Sequence, residues 1–334
     1  MQYPLPSGTY APAMASSLIF RKAPPLLVML AFSTALPALA GEFKITPIEG
    51  SARVEYDGTL VTEYRTDSRV PYCYPLTSPP GANLARHWPM EPGVKDEETD
   101  HPHHRSFWLS HGSVNGHDYW SWTDKEKDDP RIVHKGFHDV TADGFSVDLA
   151  WTAAGRTELT ETRTYHFEKP SPLTTVIGIT SRLTAADGDV TFGDTKEGFC
   201  GVRMDRSLRL KGTVAKGHIF DSEGRTDEAV WGKRGNWAAF SGPDEKGEPA
   251  VVAMMDHPAN PLHPTWWHAR DYGLLAANPF GRHDFEGSKD AHLGDQLLKK
   301  GDTLTFRYAV VLHQGNPDSA DLAALYQKFS TETR

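Results

Sequence analysis

Short runs in which hydrophobic and polar residues alternate dominate the chain and predict β-strands. Three such runs open the patterned region, at Phe43–Ile48, Ala52–Tyr56 and Thr59–Arg65. Asp57-Gly58, between the second and third runs, is typical of a two-residue hairpin turn. The same alternation predicts further strands at Phe145–Trp151, Thr157–Phe167, Thr174–Leu183, Asp189–Phe192, Ala250–Met255, Gly273–Ala277 and Thr303–Leu312.

One helix is predicted, near the C-terminus. Leu322, Leu325, Tyr326 and Phe329 follow the spacing of one buried helical face, and Asp318 or Ser319 is the expected cap. No composition break marks a linker, and the Pro-rich stretch 75–103 is predicted to be a long loop. The pattern therefore predicts an all-β fold: one large antiparallel β-sandwich over residues 41–334, with long loops and one C-terminal helix.

The first 40 residues have the features of a signal peptide. Arg21 and Lys22 precede an apolar run from Leu26 to Leu39, and Ala38-Leu39-Ala40 has the small-residue spacing of a cleavage site. The run is short and interrupted by proline, which argues against a retained membrane helix. We expect cleavage before Gly41, export to the periplasm or the extracellular space, and no membrane insertion afterwards.

The charge and the cysteine count exclude several classes of protein. The chain of 334 residues has 44 acidic and 35 basic residues, a net charge of −9, so no basic footprint for nucleic acid or an anionic membrane is expected. Cys73 and Cys200 allow at most one disulfide, and their spacing fits no zinc or redox motif. The G-x-S-x-G, Walker and Rossmann patterns are absent.

The densest polar and aromatic segment is 101–122, which contains five of the 16 histidines. Buried imidazoles and carboxylates need partners, so such a set is costly to build as a core. The segment instead predicts the wall of a pocket for something polar and flat, such as a sugar ring or a coordinated ion. Its candidate ligand-contacting residues are His101, His103, His104, Arg105, Trp108, His111, Asn115, Asp118 and Trp120.

Four later segments repeat this composition, and we expect all five to converge on one concave face. Indole rings can stack on a sugar while neighbouring cations and amides bind its hydroxyls. The candidates are Asp194, Lys196, Glu197 and Arg203 in 192–204; Trp231, Lys233, Arg234 and Trp237 in 228–243; His257, Asn260, Trp267, His268 and Arg270 in 256–273; and Asn278 in 276–284.

These segments also carry a family resemblance. The runs HPHHRSFW…HGSVNGHDYW, GDTKEGF..VRM, WGKRGNW and DHPANPLHPTWWHARDYG…NPFG resemble, in order, the signature of an exported family found mainly in planctomycetes and Bacteroidetes. That family is labelled "methane oxygenase PmoA" or a domain of unknown function, and the resemblance covers roughly residues 50–330. One departure is Ser106, where the family usually has glycine.

Methane oxidation is not expected, because a membrane-bound monooxygenase subunit needs helices of about 20 apolar residues. No such run follows the leader. The proteins that usually accompany this family, and its export signals, imply breakdown of polysaccharides or glycosides. By the same resemblance, its fold is expected to be similar to the β-supersandwich of mutarotases and polysaccharide lyases.

Three hypotheses remain open from the sequence. The first is a carbohydrate-active enzyme without a cofactor, acting on a sugar or glycoside. In it Glu197 or Asp194 serves as base, His104 or His268 as acid or proton shuttle, and Arg105, Arg203 and Arg270 hold a carboxylate or a developing oxyanion.

The second hypothesis is a metal-dependent oxidoreductase or lyase. A divalent metal would be held by His101, His103, His104 and His111, with Asp118 or His257 completing the set. The third is a sugar-binding module without catalysis, which leaves the excess of histidine and arginine unexplained.

Overall fold

The computed structural model describes residues 41–122 and 128–333, which form two large antiparallel β-sheets packed face to face. The predicted signal peptide lies outside the described residues. The strands in chain order are β1 Phe43–Ile48, β2 Ser51–Tyr56, β3 Thr59–Arg65, β4 Tyr72–Cys73, β5 Phe107–His111, β6 Arg131–His138, β7 Gly144–Ala153, β8 Arg156–Ser171, β9 Thr174–Ala185, β10 Val190–Phe192, β11 Gly198–Arg203, β12 His218–Asp221, β13 Lys233–Arg234, β14 Trp237–Pro243, β15 Pro249–Asp256, β16 Trp266–Arg270, β17 Leu274–Asn278, β18 Gln296–Leu298 and β19 Thr303–Gln314.

The first sheet has nine strands in the order β1-β2-β3-β4-β5-β11-β17-β16-β13, and the second has eight in the order β12-β14-β15-β19-β9-β8-β7-β6. Strands β10 and β18 form a separate pair. The main core lies between the two large sheets, where Phe107 of β5 meets Tyr165 of β8 with ring centroids 6.4 Å apart. The expected antiparallel sandwich is therefore confirmed.

The helices are short and few within the described part of the chain. They are α1 Arg282–Glu286, α2 Pro317–Ala320 and α3 Leu322–Ser330, with one 3₁₀ turn at Asp227–Val230. Helix α3 covers a second, smaller core on the outer side of the eight-stranded sheet. None of these helices is long and apolar enough to cross a membrane.

The predicted cap of the C-terminal helix was wrong. Asp318 and Ser319 belong to α2, which is a separate turn, so the cap of α3 moves to Asp321. The Asp321 side chain accepts a hydrogen bond from the backbone N–H of Ala324 at 3.3 Å.

Cys73 and Cys200 are both buried as free thiols. Burial raises the pKa of the Cys73 thiol to about 12, so it stays protonated and unreactive at neutral pH.

Candidate functional site

The site is built on four neighbouring strands of the nine-stranded sheet: β5, β11, β17 and β16. The strand register pairs Trp108 with Gly201, Gly201 with Ala276, and Ala276 with His268. Directly paired residues of antiparallel strands project from the same face of a sheet. Because Phe107 faces the core between the sheets, this row lies on the opposite, outer face of the sheet.

Two tryptophans form the floor of the site. Trp120 packs over Gly201, where a Cβ atom would lie 2.9 Å from Trp120 and 3.1 Å from Trp108. The two indole rings have centroids 4.8 Å apart. The Asp118 carboxylate holds this turn by accepting the backbone N–H groups of Trp120 and Ser121, each at 2.8 Å. The missing side chain at Gly201 is therefore what lets Trp120 reach the sheet.

His104 stacks on this floor and is almost fully buried. Its ring lies 5.1 Å from that of Trp108 at an angle of 23°. Arg203 donates a hydrogen bond to His104 Nδ1 at 3.0 Å. A guanidinium can only donate, so the neutral imidazole carries its proton on Nε2. Burial, together with the charges of His103 and Arg203, holds the pKa of His104 well below its ordinary value.

Arg203 is itself held by an ion-pair network. Asp100 accepts hydrogen bonds from Arg203 at 3.1 Å and from Arg86 at 2.7 Å, and both guanidinium groups are fully buried. Burial opposes ionisation of Asp100, but the hydrogen bond from His101 and the charges of Arg203 and Arg86 lower its pKa below the ordinary value. Arg203 is therefore a positioning residue, because its two terminal nitrogens bond His104 and Asp100 and only its Nε has no partner among the described residues.

His268 has the opposite tautomer to His104. Its Nδ1 lies 2.8 Å from the backbone carbonyl of Lys196. A carbonyl can only accept, so Nδ1 carries the proton and Nε2 has a bare lone pair. Burial and the charge of Arg270 lower the pKa of His268 to about 3, with a smaller contribution from His101. At neutral pH His268 is an uncharged base.

Tyr272 connects the two halves of the site. Arg203 and Arg270 lie over its ring, 4.6 and 5.3 Å from the centroid, and His101 stacks on it at 5.2 Å. Burial raises the pKa of Tyr272, and the Glu197 carboxylate contributes to that rise. Glu197 is part-exposed, with its carboxylate 3.5 Å from Lys196 Nζ.

The buried ring nitrogens of the site are unsatisfied within the described residues. His104 Nε2, His268 Nε2, Trp108 Nε1 and Trp120 Nε1 are each buried without a hydrogen-bond partner. Such atoms are costly in a finished core and are expected where a ligand or water completes the set. Three of them are donors and one, His268 Nε2, is an acceptor.

His103 and Trp231 lie at the edges of the same site. The His103 ring meets that of His104 edge-on at 4.5 Å, and burial, with the charge of His101, lowers its pKa to about 3. Trp231 packs on Phe285 at 5.6 Å, and Phe285 in turn contacts His268 at 5.9 Å.

The structure does not bring His111 into this cluster. His111 lies against Phe192 and Phe280, and its Nε2 bonds the Gly193 carbonyl at 2.9 Å. Within residues 41–122 and 128–333, no three His, Cys, Asp or Glu side chains are grouped so that they could hold a metal ion. The ligand set expected from His101, His103, His104 and His111 is therefore not assembled.

Several further candidates have structural roles away from the cluster. Trp267 is fully buried, with its indole N–H donating to the Gly235 carbonyl. Asn278 donates to the Thr195 carbonyl at 2.8 Å and so holds the turn before Glu197. Asp194 accepts the backbone N–H groups of His283 and Gly294, which excludes it as a free base.

The remaining candidates are spread over other surfaces. Asn115 lies in an exposed turn and bonds the backbone of Thr191. Lys233 and Arg234 form the exposed edge strand β13. The candidates associated with the eight-stranded sheet or helix α3 are Trp237, which packs on Phe220; His257, which packs on Phe329; and Asn260, which bonds Asp256. The expectation that all five segments converge is met only in part, because 228–243 and 256–273 each contribute to two surfaces.

Sequence reasoning missed the residues that support the histidines. Asp100, Arg86 and Tyr272 were not among the candidates, because Asp100 and Arg86 lie in the stretch interpreted as a Pro-rich loop. The available signal was the run EETDHPHH, in which acidic residues directly precede the histidines.

Comparison with family models shows that the chain belongs to a family of unknown function, DUF6807, whose model matches residues 51–327. No curated protein matches the chain.

Three solved structures are similar to this chain at low sequence identity. A putative aldose 1-epimerase from Escherichia coli K12 is 10% identical, with a TM-score of 0.36 over 82% of this chain and 100% of that chain. A galactose mutarotase related enzyme from Lactobacillus acidophilus is 12% identical, with a TM-score of 0.32 over 82% and 98%. A polysaccharide lyase is 13% identical, with a TM-score of 0.31 over 84% of this chain and 34% of that one.

Proposed function

We propose that this protein is an exported carbohydrate-active enzyme in which His268 accepts and returns a proton, His104 donates a hydrogen bond to the reacting oxygen, and no cofactor is needed for that step. The observation that carries the proposal is the complementary pair of tautomers. His104 presents a proton on Nε2, and His268 presents a lone pair on Nε2. Neither atom has a partner within the described residues. His268 can therefore take a proton from a sugar carbon or oxygen and return it in the next step, while the Nε2–H of His104 donates a hydrogen bond to the oxygen on which negative charge develops.

The depressed pKa values fit this division of roles. Both imidazoles are neutral at neutral pH, so His268 can accept a proton without first losing one. Arg203 keeps the proton of His104 on Nε2, because the other ring nitrogen is occupied as an acceptor. Glu197, which is part-exposed beside Lys196, supplies a carboxylate for a hydroxyl of the sugar.

Aromatic surfaces supply the sugar-binding element. Tyr272 and the exposed His101 form a stacked wall, and the buried indole of Trp108 supports it from behind through the His104 ring. Apolar CH faces of a pyranose pack on such rings while its hydroxyls bond the surrounding nitrogens. The three unsatisfied donors and one acceptor suit a ligand rich in hydroxyl groups.

The reaction is tested by incubating the mature protein with a panel of glycosides and oligosaccharides and reading the products by mass spectrometry. Addition of water indicates hydrolysis, a new unsaturation indicates a lyase, and changed stereochemistry at constant mass indicates an epimerase. A sugar that binds and is recovered unchanged overturns the enzymatic proposal and identifies a binding module.

The roles of the two histidines are tested by His104→Asn and His268→Asn. Asparagine can replace Nδ1 in its bond to Arg203 or to the Lys196 carbonyl, but it has nothing at Nε2. Each change should lower kcat by about a hundredfold or more. His111→Gln is the matched control, since its amide can replace the Nε2 bond to Gly193 and the residue lies outside the cluster. Folded His→Asn variants with unchanged turnover would refute the assignment.

Export is tested separately. N-terminal sequencing of protein recovered outside the cytoplasm should begin at Gly41. A recovered chain that retains Arg21 and Lys22 contradicts the signal-peptide interpretation.

A further inference from the structure

A cleft of about 780 Å³ opens beside the histidine cluster. His101 and His103 line it on the side of the cluster, and Arg105 follows directly in the chain. The opposite side comes from the β3–β4 connection and from Trp122. The cleft adjoins the cluster through His101 and His103, and its volume is enough for a monosaccharide.

Three arginines line this cleft, but two of them are already paired. Arg69 and Arg131 both bond the Asp129 carboxylate, Arg131 at 2.7 Å. The Asp67 carboxylate of the cleft accepts the hydroxyl of Tyr72 at 2.7 Å. The carboxylates of this wall are therefore engaged.

Arg105 is different. Among the described residues it forms no ion pair with a carboxylate, its Nε is buried without a hydrogen-bond partner, and its side-chain hydrogen bond is to the uncharged Tyr72 hydroxyl. Its guanidinium lies 5.6 Å from the ring centroid of Tyr72 and 5.9 Å from that of Trp122. These rings fix the direction of the guanidinium, and its charge also lowers the pKa of the Tyr72 hydroxyl, which burial raises.

A part-buried guanidinium without a counterion is unfavourable unless a ligand supplies the charge. The planar fork of arginine matches the paired oxygens of a carboxylate or sulfate, and aromatic stacking preorganises it at low entropic cost. His101 and His103 add nitrogens for the hydroxyls of the same ligand.

We infer that the substrate is an acidic sugar, whose anionic group is bound by Arg105 in this cleft. The inference rests on the proposed function, in that it names the substrate class of the same site. The anionic group is a carboxylate, as in a hexuronate, or a sulfate ester, and the shared chemistry is an oxyanion with two or three equivalent oxygens.

The test is calorimetric titration of the mature protein with methyl glucuronide, glucose 6-sulfate and methyl glucoside at neutral pH. The glucuronide or the sulfate should bind at least about tenfold more tightly than the neutral glycoside, and the tighter of the two identifies the group. Equal binding of all three overturns the inference.

Arg105→Met should abolish this preference, since methionine keeps the packing on Tyr72 and Trp122 but carries no charge. Arg105→Lys keeps the charge but not the planar, two-pronged geometry of the guanidinium, so it should retain only part of the preference for acidic sugars. It replaces Arg105→Met as the test if the methionine variant does not fold. Arg131→Met is the matched control, as Arg131 lines the same cleft but is paired with Asp129. A preference that survives in Arg105→Met refutes the role of Arg105.

Binding at equilibrium separates this inference from the catalytic proposal. Unchanged turnover in the His104→Asn variant would leave the preference for acidic sugars standing. Conversely, equal binding of acidic and neutral sugars would leave standing the catalytic proposal, which rests on the tautomers of His104 and His268.

Discussion

Ser106 is fully buried with a strained backbone just before strand β5, and replacing it by glycine should stabilise the protein. Its φ angle is +56°, in the left-handed region, which costs an ordinary residue roughly 1–2 kcal/mol. Its hydroxyl is buried without a partner among the described residues. The Ser106 carbonyl accepts the backbone N–H of Arg203 at 2.7 Å, so the turn is held in place by the strand that supports His104.

The expected gain can be worked out from these terms. Glycine relieves the φ strain of roughly 1–2 kcal/mol and loses about 0.5–1 kcal/mol through its freer unfolded state. Removing an unsatisfied buried hydroxyl adds about 1 kcal/mol or more. Ser106→Gly should therefore raise the free energy of unfolding by about 1–2 kcal/mol.

Ser110→Gly is the matched control. Ser110 is also fully buried with an unpartnered hydroxyl, but it lies inside strand β5 and is not among the positive-φ residues. Ser110→Gly relieves no backbone strain. The free energies of unfolding of the two variants should therefore differ by about 1–2 kcal/mol, with Ser106→Gly the more stable.

Urea unfolding followed by circular dichroism measures this difference, and thermal unfolding should shift by roughly 2–4 °C per kcal/mol or somewhat less for a domain of this size. A Ser106→Gly variant that is no more stable than Ser110→Gly would refute the reasoning from backbone strain.

Two other predictions concern the floor of the site and its pH dependence. Gly201→Ala places a Cβ 2.9 Å from the Trp120 ring, so Trp120 must move. We expect the free energy of unfolding in urea to fall by about 1–3 kcal/mol, the tryptophan emission to change and sugar binding to weaken. Unchanged emission would contradict this prediction. The pKa of His268 in the folded protein, about 3, lies below its unfolded value near 6.5. Between these two pH values the unfolded chain binds more protons than the folded protein, so the free energy of unfolding must fall as the pH is lowered. From pH 7 to pH 5 this one group should cost about 2 kcal/mol, and a folded His268→Asn variant whose unfolding free energy declines as steeply as the wild type would disprove its part.

Strands with regular alternation could be predicted from the sequence, and those that build the site could not. Residues Phe43–Ile48 and Thr59–Arg65 match β1 and β3 to the residue, because one face of each is apolar and a hairpin turn separates the strands around Asp57-Gly58. Strands β5 and β16 carry large aromatic or polar side chains on both faces, so no alternation marks them. The sequence pattern assigns both to loops, although β5 is the central strand of the nine-stranded sheet and β16 pairs with its edge strand β13.

The composition of the site was predictable where its geometry was not. The density of histidine and tryptophan in 101–122 indicates a polar aromatic pocket, and His104, Trp108 and Trp120 do lie together, while Arg105 packs on Trp122. His111 lies three residues after Trp108 on β5. Because side chains alternate along a strand, it projects from the opposite face of the nine-stranded sheet. Register across strands that are distant in sequence cannot be read from local pattern.

The chemistry of the site depends on buried charges that lie behind it. His104 can present a proton on Nε2 only while Arg203 occupies Nδ1, and Arg203 can remain charged and buried only while Asp100 balances it. Asp100 also bonds Arg86 and His101, so one carboxylate fixes both the buried guanidinium pair and the outer imidazole. Removing one member of such a network leaves an uncompensated buried charge, which costs several kcal/mol. The segment that carries the histidines is thus tied to the strand that carries Arg203. The ion pair of Arg203 with Asp100, rather than the imidazole itself, decides that the N–H of His104 is on Nε2.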